Sequence, residues 1–231
     1  MTFHERSDQQ PVVIVVGCDD VGSAIARGLN RGGAAVVLID AADPPWPQRG
    51  MCYADAWYVG GATLVDVDAC FCASVKSIPA VLARGDTIAA TTWSLQGVAA
   101  ALWPVAFIDS RAIARPQSLA PRIDAPRAGR FLTRHRIAEQ VECGEPLGEI
   151  SGNAVLAPAA GVLRGLAARG ARVAVGQTLA EIDVSGDSSR CFGVSPEAAA
   201  VAQRVVATLG ARLRGFHGRD TEAAEVADVS P

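Results

Sequence analysis

The apolar and polar positions near the start of the chain predict a strand, a helix and a second strand. Val12–Val16 is a short, uninterrupted apolar run rich in β-branched residues, which is typical of a strand buried on both faces. Apolar residues then recur at helical spacing over residues 21–29, and Gly32 and Gly33 are expected to end that helix. A second apolar run, Ala35–Ile39, predicts the next strand.

This alternation of helix and strand patterns continues up to Asp109. The predicted elements are helices at residues 78–84 and 94–102 and strands at residues 86–92 and 105–108. Ser94 is the expected N-cap of the second of these helices. Alternating strands and helices predict an α/β fold with a parallel sheet, and we assign residues 1–116 to a Rossmann-like domain.

The turn after the first strand begins at Gly17 and includes Gly22, and Asp40 follows the second strand. This order is the plan of dinucleotide-binding units. Asp19 departs from it, because glycine at that position lets the backbone approach a pyrophosphate. A carboxylate about 4 Å from a phosphate oxygen costs about 1–4 kcal/mol, whereas a helix N-terminus contributes about 0.3–1 kcal/mol. NAD(P) binding is therefore disfavoured, and a different ligand or a purely structural turn stays open.

Ligands of open α/β sheets bind beyond the carboxyl ends of the strands. The residues that the predicted elements place there are the candidate cofactor-binding residues Gly17, Asp19, Asp20, Gly22, Asp40, Asp109 and Arg111. For Asp109 and Arg111, a surface ion pair is an equal alternative.

The second half of the chain contains an internal repeat. Ala-Pro-x-Ala-Gly at residues 125–129 recurs at residues 157–161. At the same offset of 32 residues, the chain has identical residues in five further pairs, whose first members are Val141, Gly144, Leu147, Glu149 and Ile150. Short strand-like pieces separated by Gly and Pro predict a small all-β domain of two similar halves, which we place at residues 117–190.

Residues 191–231 are expected to form a helix over residues 196–213, with Ser195 as its N-cap, and a disordered tail. Cys191 precedes this helix, and a helix N-terminus can lower the pKa of a thiol. A thiolate there, with Asp187 four residues away, is a candidate cofactor-binding site that would ligate a metal or accept sulfur. The alternative is that Cys191 is a small buried residue at a domain junction. The sequence leaves the identity of any metal open.

Composition excludes several classes of protein. Lys and Arg number 21 and Asp and Glu 24, so the net charge of −3 gives no basic footprint for nucleic acid. The longest apolar stretch, residues 98–108, contains Pro104 and is shorter than the roughly 20 residues that cross a membrane. The polar start predicts no export signal, and six cysteines without a Cys-x-x-Cys pair indicate reduced thiols in a cytoplasm.

The repeated Ala-Pro-x-x-Gly and Val-x-x-Gly-x-x-Leu-x-x-Ile patterns resemble the barrel-sandwich hybrid of biotinyl and lipoyl carrier domains. Carriers attach their cofactor to a lysine at a hairpin tip. The corresponding tip here is Ser151-Gly152-Asn153, and Lys76 is the only lysine of the chain. The resemblance therefore implies an all-β domain that carries neither biotin nor lipoate.

The whole chain resembles the YqeB-like accessory proteins of selenium-dependent molybdenum hydroxylases. Three stretches carry the resemblance: residues 17–40 followed by 53–60, residues 105–111 and residues 161–195. It implies an accessory or maturation protein for a molybdenum hydroxylase or a related oxidoreductase, which binds the molybdenum cofactor, its precursor or the apo-enzyme. A glycine-rich segment of the family is absent, and Pro196-Glu197 replaces its Asp-Lys pair.

Two other functions compete with this expectation. One is a nucleotide-dependent oxidoreductase that uses Gly17, Gly22 and Asp40. The other is a structural subunit that docks into a larger complex through its barrel. No nucleophile and base can be paired from the sequence, so catalysis is not predicted.

A basic run in the second half leaves its role open. It consists of Arg127, Arg130, Arg134 and Arg136. Such a run is either a solvated face or a site for an anionic cofactor. The last helix either packs on the two domains or mediates association into a homo-oligomer.

Overall fold

The structure, a computed structural model, describes residues 10–113 and 120–225, with side chains up to residue 210. The strands of the first unit are β1 (Val12–Val16), β2 (Ala35–Ile39), β3 (Gly61–Leu64), β4 (Val67–Phe71), β5 (Thr87–Thr91) and β6 (Ala106–Asp109). Its helices are α1 (Asp20–Arg31), α2 (Asp55–Val59), α3 (Ile78–Leu82) and α4 (Leu95–Leu102). The six strands form one sheet in the order β3-β4-β5-β2-β1-β6, in which only β3 and β4 are antiparallel. We call this part the α/β unit.

The fold of the α/β unit follows from its apolar strands, which are buried, and from the capping of its helices. β2 and β5 are buried at every residue, and two apolar cores lie on opposite faces of the sheet. Ser94 caps α4 as predicted, because its side-chain oxygen accepts a hydrogen bond from Gly97 N–H at 3.1 Å. The predicted order of strands and helices is confirmed for β1, α1, β2, α3, β5, α4 and β6.

Strand β3 and the short helix α2 have no counterpart in the predicted elements. β3 is an edge strand with mostly exposed residues, so its sequence lacks the apolar run that marks β1 and β2. Val65 turns the hairpin with φ of 61°, a conformation that the side-chain pattern does not reveal.

The second unit, which we call the β unit, consists of two four-stranded antiparallel sheets. Its strands are β7 (Arg122–Asp124), β8 (Gly129–Leu132), β9 (Gln140–Val141), β10 (Pro146–Ile150), β11 (Asn153–Leu156), β12 (Gly161–Leu166), β13 (Arg172–Val173) and β14 (Thr178–Asp183). Sheet one has the order β11-β10-β8-β13, and sheet two has the order β7-β14-β12-β9.

The internal repeat of the sequence relates these two sheets. Strands β8, β9 and β10 begin at the same repeat positions as β12, β13 and β14, and β7 corresponds to β11. When each strand in the order β11-β10-β8-β13 is replaced by its counterpart in the repeat, the result is β7-β14-β12-β9, which is the order of sheet two. Core residues are paired in the same way. Phe131 corresponds to Leu163 and Leu147 to Leu179, and all four are completely buried. Each sheet therefore contains strands from both copies of the repeat.

The last helix, α5 (Pro196–Glu225), packs against α1 of the α/β unit. Ser195 caps it as predicted, because its hydroxyl oxygen accepts a hydrogen bond from Ala198 N–H at 3.1 Å. α5 continues to Glu225, beyond residue 213 at which the sequence predicts its end. Residues 226–231 lie outside the described part. No helix in the part that the structure describes is long and apolar enough to cross a membrane.

Candidate functional site

The glycine turn lies at the carboxyl ends of β1 and β6, where the sequence predicts a site. The hydroxyl of Ser110 donates to Val16 O at 2.9 Å. A Cβ at Gly22 would lie 2.6 Å from that hydroxyl oxygen and still closer to the carbonyl oxygen of Gly17, inside the 3.0 Å limit of real Cβ contacts. Gly17 itself has φ of 99°. Both glycines are therefore required by contacts within the chain itself.

Asp19 and Asp20 bind the start of α1. The side chain of Asp19 is completely buried, and its Oδ1 accepts a hydrogen bond from Gly22 N–H at 2.7 Å. The Oδ1 of Asp20 accepts from Val21 N–H at 2.9 Å. Asp19 thus acts as the N-cap of α1. The carboxylates of Asp19 and Asp20 therefore already accept hydrogen bonds from backbone amides that would bind a phosphate at this end of the helix.

Asp40 is bonded by three donors of the chain. Its Oδ2 accepts from Cys18 N–H at 2.7 Å and from the indole Nε1–H of Trp46 at 2.8 Å. Its Oδ1 accepts from Ala41 N–H at 2.7 Å. In a dinucleotide-binding unit the corresponding carboxylate accepts the ribose hydroxyls. Here a ribose would have to displace Trp46.

Asp109 and Arg111 form the ion pair that the sequence leaves as one of two alternatives. Nε and Nη2 of Arg111 each donate at 2.8 Å to a different carboxylate oxygen of Asp109. These hydrogen bonds hold the pKa of the Asp109 carboxyl below its usual value. The side chains of Arg111 and Asp109 are 53% and 37% exposed, so water screens the pair and it contributes little to stability.

Asp187 and Cys191 lie at the junction of the two units. Gly193 N–H, next to them, donates to Gly50 O of the α/β unit at 3.0 Å. Asp187 is exposed, and its Oδ1 accepts from the backbone and hydroxyl of Ser189. Cys191 is completely buried, and this burial raises the pKa of its thiol. Loss of hydration thus acts against the lowering of the thiol pKa that a helix N-terminus would produce, which favours the alternative of a small buried residue.

The junction holds a buried acid that sequence reasoning missed. Glu181 of β14 is only 4% exposed, and its Oε1 accepts from Gln48 Nε2 at 2.6 Å. Nearby, Leu166 N–H donates to Pro47 O at 2.7 Å. Glu149, the counterpart of Glu181 in the other copy of the repeat, is exposed. The repeat pattern is the same for both acids, so no local signal distinguishes them.

Burial of Glu181 has a consequence for the pH dependence of stability. Burial raises the pKa of this carboxyl above its ordinary value of 4.5, although Arg164 and Gln48 oppose the shift. The folded protein then binds a proton more readily than the unfolded chain. The ionised form therefore costs stability, and this cost grows as pH rises from below the unfolded pKa through the raised one.

We expect Glu181→Gln to gain stability relative to the wild type as pH is raised from about 4 to about 7. Urea unfolding at several pH values measures this difference. Glu149→Gln is the matched control, because this exposed acid should add no pH-dependent difference. Parallel pH curves for wild type and Glu181→Gln would contradict the expectation.

Among the described residues, no group of three or more His, Cys, Asp or Glu side chains is arranged to hold a metal ion.

No protein-family model and no curated protein matches the chain. Among solved structures, the succinylglutamate desuccinylase/aspartoacylase of Rhodobacter sphaeroides is 15% identical, with 70% of this chain and 47% of that protein covered and a TM-score of 0.26. An aspartoacylase family protein of Mesorhizobium loti is 8% identical, with 75% and 85% covered and a TM-score of 0.28.

The product-bound ectoine utilization protein EutE (DoeB) of Ruegeria pomeroyi is 11% identical, with 75% and 52% covered and a TM-score of 0.25. The chain spans about half the length of the first and the third of these proteins. At such TM-scores the likeness carries no argument about what this chain binds or does.

The expected membership of the YqeB-like family is wrong. The solved structures named above are described as desuccinylase, aspartoacylase or ectoine utilization proteins, and none as an accessory protein of a molybdenum hydroxylase. The maturation function rested on that resemblance and is withdrawn with it, and the molybdenum cofactor loses the argument that suggested it.

Proposed function

We propose that this protein is a binding protein in which the α/β unit is a scaffold and the β unit contacts a polypeptide partner. The observation that carries the proposal is the bonding of Asp40. Its carboxylate, which would hold a ribose in a dinucleotide enzyme, is bonded to Cys18 N–H, to Ala41 N–H and to the indole of Trp46. The competing dinucleotide-dependent oxidoreductase would need to break these bonds.

The segment that follows Asp40 supports the same function. Pro47 O and Gln48 Nε2 are hydrogen-bonded to Leu166 and Glu181 of the β unit. A nucleotide that entered beside Trp46 would meet a segment that is already held by the second unit. We infer that the junction fixes the two units against each other and leaves the outer faces of the β unit for recognition.

The finer description of the fold is part of this proposal. A Rossmann-like α/β unit is supported by five parallel neighbouring strands with α1 crossing between β1 and β2. A barrel-sandwich hybrid is supported by two sheets that exchange under the internal repeat. A cytoplasmic location is supported by the six cysteines, all of which are free.

Titration with nucleotides tests the proposal. NAD(H), NADP(H) and ATP at about 1 mM are expected to leave the thermal midpoint unchanged, whereas a ligand present at about 100 times its Kd would add about 2.7 kcal/mol. Isothermal titration calorimetry provides the second readout. A rise of the midpoint that Asp40→Asn removes would overturn the proposal and favour the oxidoreductase.

A further inference from the structure

The two sheets of the β unit have equivalent outer faces, and the α/β unit covers one of them. The covered face belongs to sheet two. There Leu166 N–H donates to Pro47 O, Glu181 accepts from Gln48, and a Cβ on Gly165 would contact Pro47 at 3.3 Å. Residues 47–51 therefore lie along this face, close enough to bond with its backbone.

The equivalent face of sheet one is open. The internal repeat relates Arg164, Gly165, Leu166 and Glu181 to Leu132, Thr133, Arg134 and Glu149. These four counterparts line a groove of about 450 Å³ on sheet one. The groove thus lies at the position where sheet two holds residues 47–51.

The open face retains the features by which the covered face holds a chain. Leu166 N–H donates to Pro47 O, and within the described part of the chain no atom accepts a hydrogen bond from its counterpart, Arg134 N–H. Leu132 and Leu156, two apolar side chains of this sheet, are 42% and 52% exposed. An extended segment laid on this face would gain a backbone hydrogen bond and cover apolar surface.

The charge around this groove determines which kind of extended segment would bind there. Arg134 and Arg169 line the groove. Arg130 and Arg172 line a separate cavity on the same sheet, where they lie directly opposite each other on the neighbouring strands β8 and β13. Like charges in this position repel each other, which an anion between them would relieve. Nη1 of Arg130 also donates to Gly170 O at 2.8 Å. None of these four arginines forms an ion pair with any residue that the structure describes. Among the described residues, Glu149 is the only acid that lines the groove.

We propose that this groove binds an extended acidic segment of another protein, in the place where sheet two holds residues 47–51. The inference rests on the proposed function and names its partner by chemistry. Carboxylates of the segment pair with Arg134 in the groove and with Arg130 and Arg172 in the cavity beside it, because guanidinium groups bind carboxylates in a bidentate geometry. Apolar residues between them cover Leu132.

Fluorescence anisotropy with the labelled peptide Glu-Asp-Pro-Leu-Pro-Glu-Asp tests the inference. Wild-type protein is expected to bind it, and the double variant Arg130→Glu with Arg172→Glu to bind about tenfold more weakly or worse. Arg84→Glu, an exposed arginine of the α/β unit, is the matched control and should bind like the wild type. Glu149→Gln should bind about two- to threefold more tightly, a gain that misfolding cannot produce.

Each other outcome overturns the inference. These outcomes are no binding by the wild type, equal binding of the peptide with lysine in place of its acids, equal binding of an oligothymidylate, or an equal loss in Arg84→Glu. Self-association of the wild type that Arg130→Glu with Arg172→Glu abolishes, measured by analytical ultracentrifugation, would replace the partner with a second copy of this chain. If the peptide does not bind and the nucleotides do not bind either, only the inference about the groove is overturned. If a nucleotide binds, the proposed function is overturned.

Discussion

Gly22→Ala is expected to prevent stable folding of the α/β unit. The added Cβ would overlap the carbonyl oxygen of Gly17 and approach Ser110 Oγ at 2.6 Å. Neither neighbour can yield cheaply, because Gly17 N–H donates to Ile39 O at 2.8 Å and Ser110 donates to Val16 O. A backbone overlap of this kind belongs to the class of substitutions that cost more than about 4 kcal/mol. Urea unfolding and circular dichroism measure the loss.

Gly61→Ala is the matched control for this substitution. Gly61 lies on edge strand β3, and a Cβ there would meet Ala69 O at 3.5 Å, an ordinary contact. This variant is expected to remain within about 0.5 kcal/mol of the wild type. If Gly22→Ala were as stable as Gly61→Ala, the tight turn described for Gly17 and Gly22 would be wrong.

Phe131→Ala is expected to unfold the β unit or to cost about 3–5 kcal/mol of its stability. Phe131 lies on β8 in the core between the two sheets and is completely buried. Its removal leaves a cavity that strands from both copies of the repeat surround, so the unit cannot close by a small local shift. Hydrogen exchange of the β-unit amides measures the effect separately from the α/β unit.

Phe107→Ala provides the control with the same change of side chain. Phe107 is 65% exposed on β6, so this variant should lie within about 0.5 kcal/mol of the wild type. Equal effects of the two substitutions would show that Phe131 does not fill the core of the β unit.

At the candidate site, the hydrogen bonds in the structure are stronger evidence about ligand binding than the sequence motif. The order of Gly17, Gly22 and Asp40 predicts a nucleotide-binding unit, and Asp19 is the residue that departs from it. Asp19 caps α1 through a contact only three residues along the chain, and Asp is a common N-cap residue, so this contact is a local signal that the dinucleotide motif obscures. No sequence pattern indicates that Trp46 bonds to Asp40, because that contact depends on how the loop after β2 returns over the end of the sheet.

The thiol of Cys191 illustrates the same limit. Its position before a well-capped helix predicts a lowered thiol pKa, and that reasoning uses only neighbours along the chain. The segment around Gly50 covers it from the other unit, so burial raises the thiol pKa instead. Chain neighbours set the helix end, whereas packing between the units sets the dielectric environment of the sulfur.

Local signals in the chain suffice to predict several elements of the fold. Apolar runs predict the buried strands β1 and β2, Ser94 predicts the start of α4, and the internal repeat predicts the doubled β unit. These features can be predicted because periodicity and caps act over a few residues, and a repeat copies a whole segment.

Which copy of a repeated feature is buried depends instead on contacts between distant segments. Glu149 and Glu181 share their local pattern, yet one lines an open groove and the other is buried against Gln48. The difference arises because the segment after Asp40 docks on sheet two and not on sheet one. Burial, charge pairing and the open face all follow from that contact between residues far apart in the chain, which no local pattern encodes.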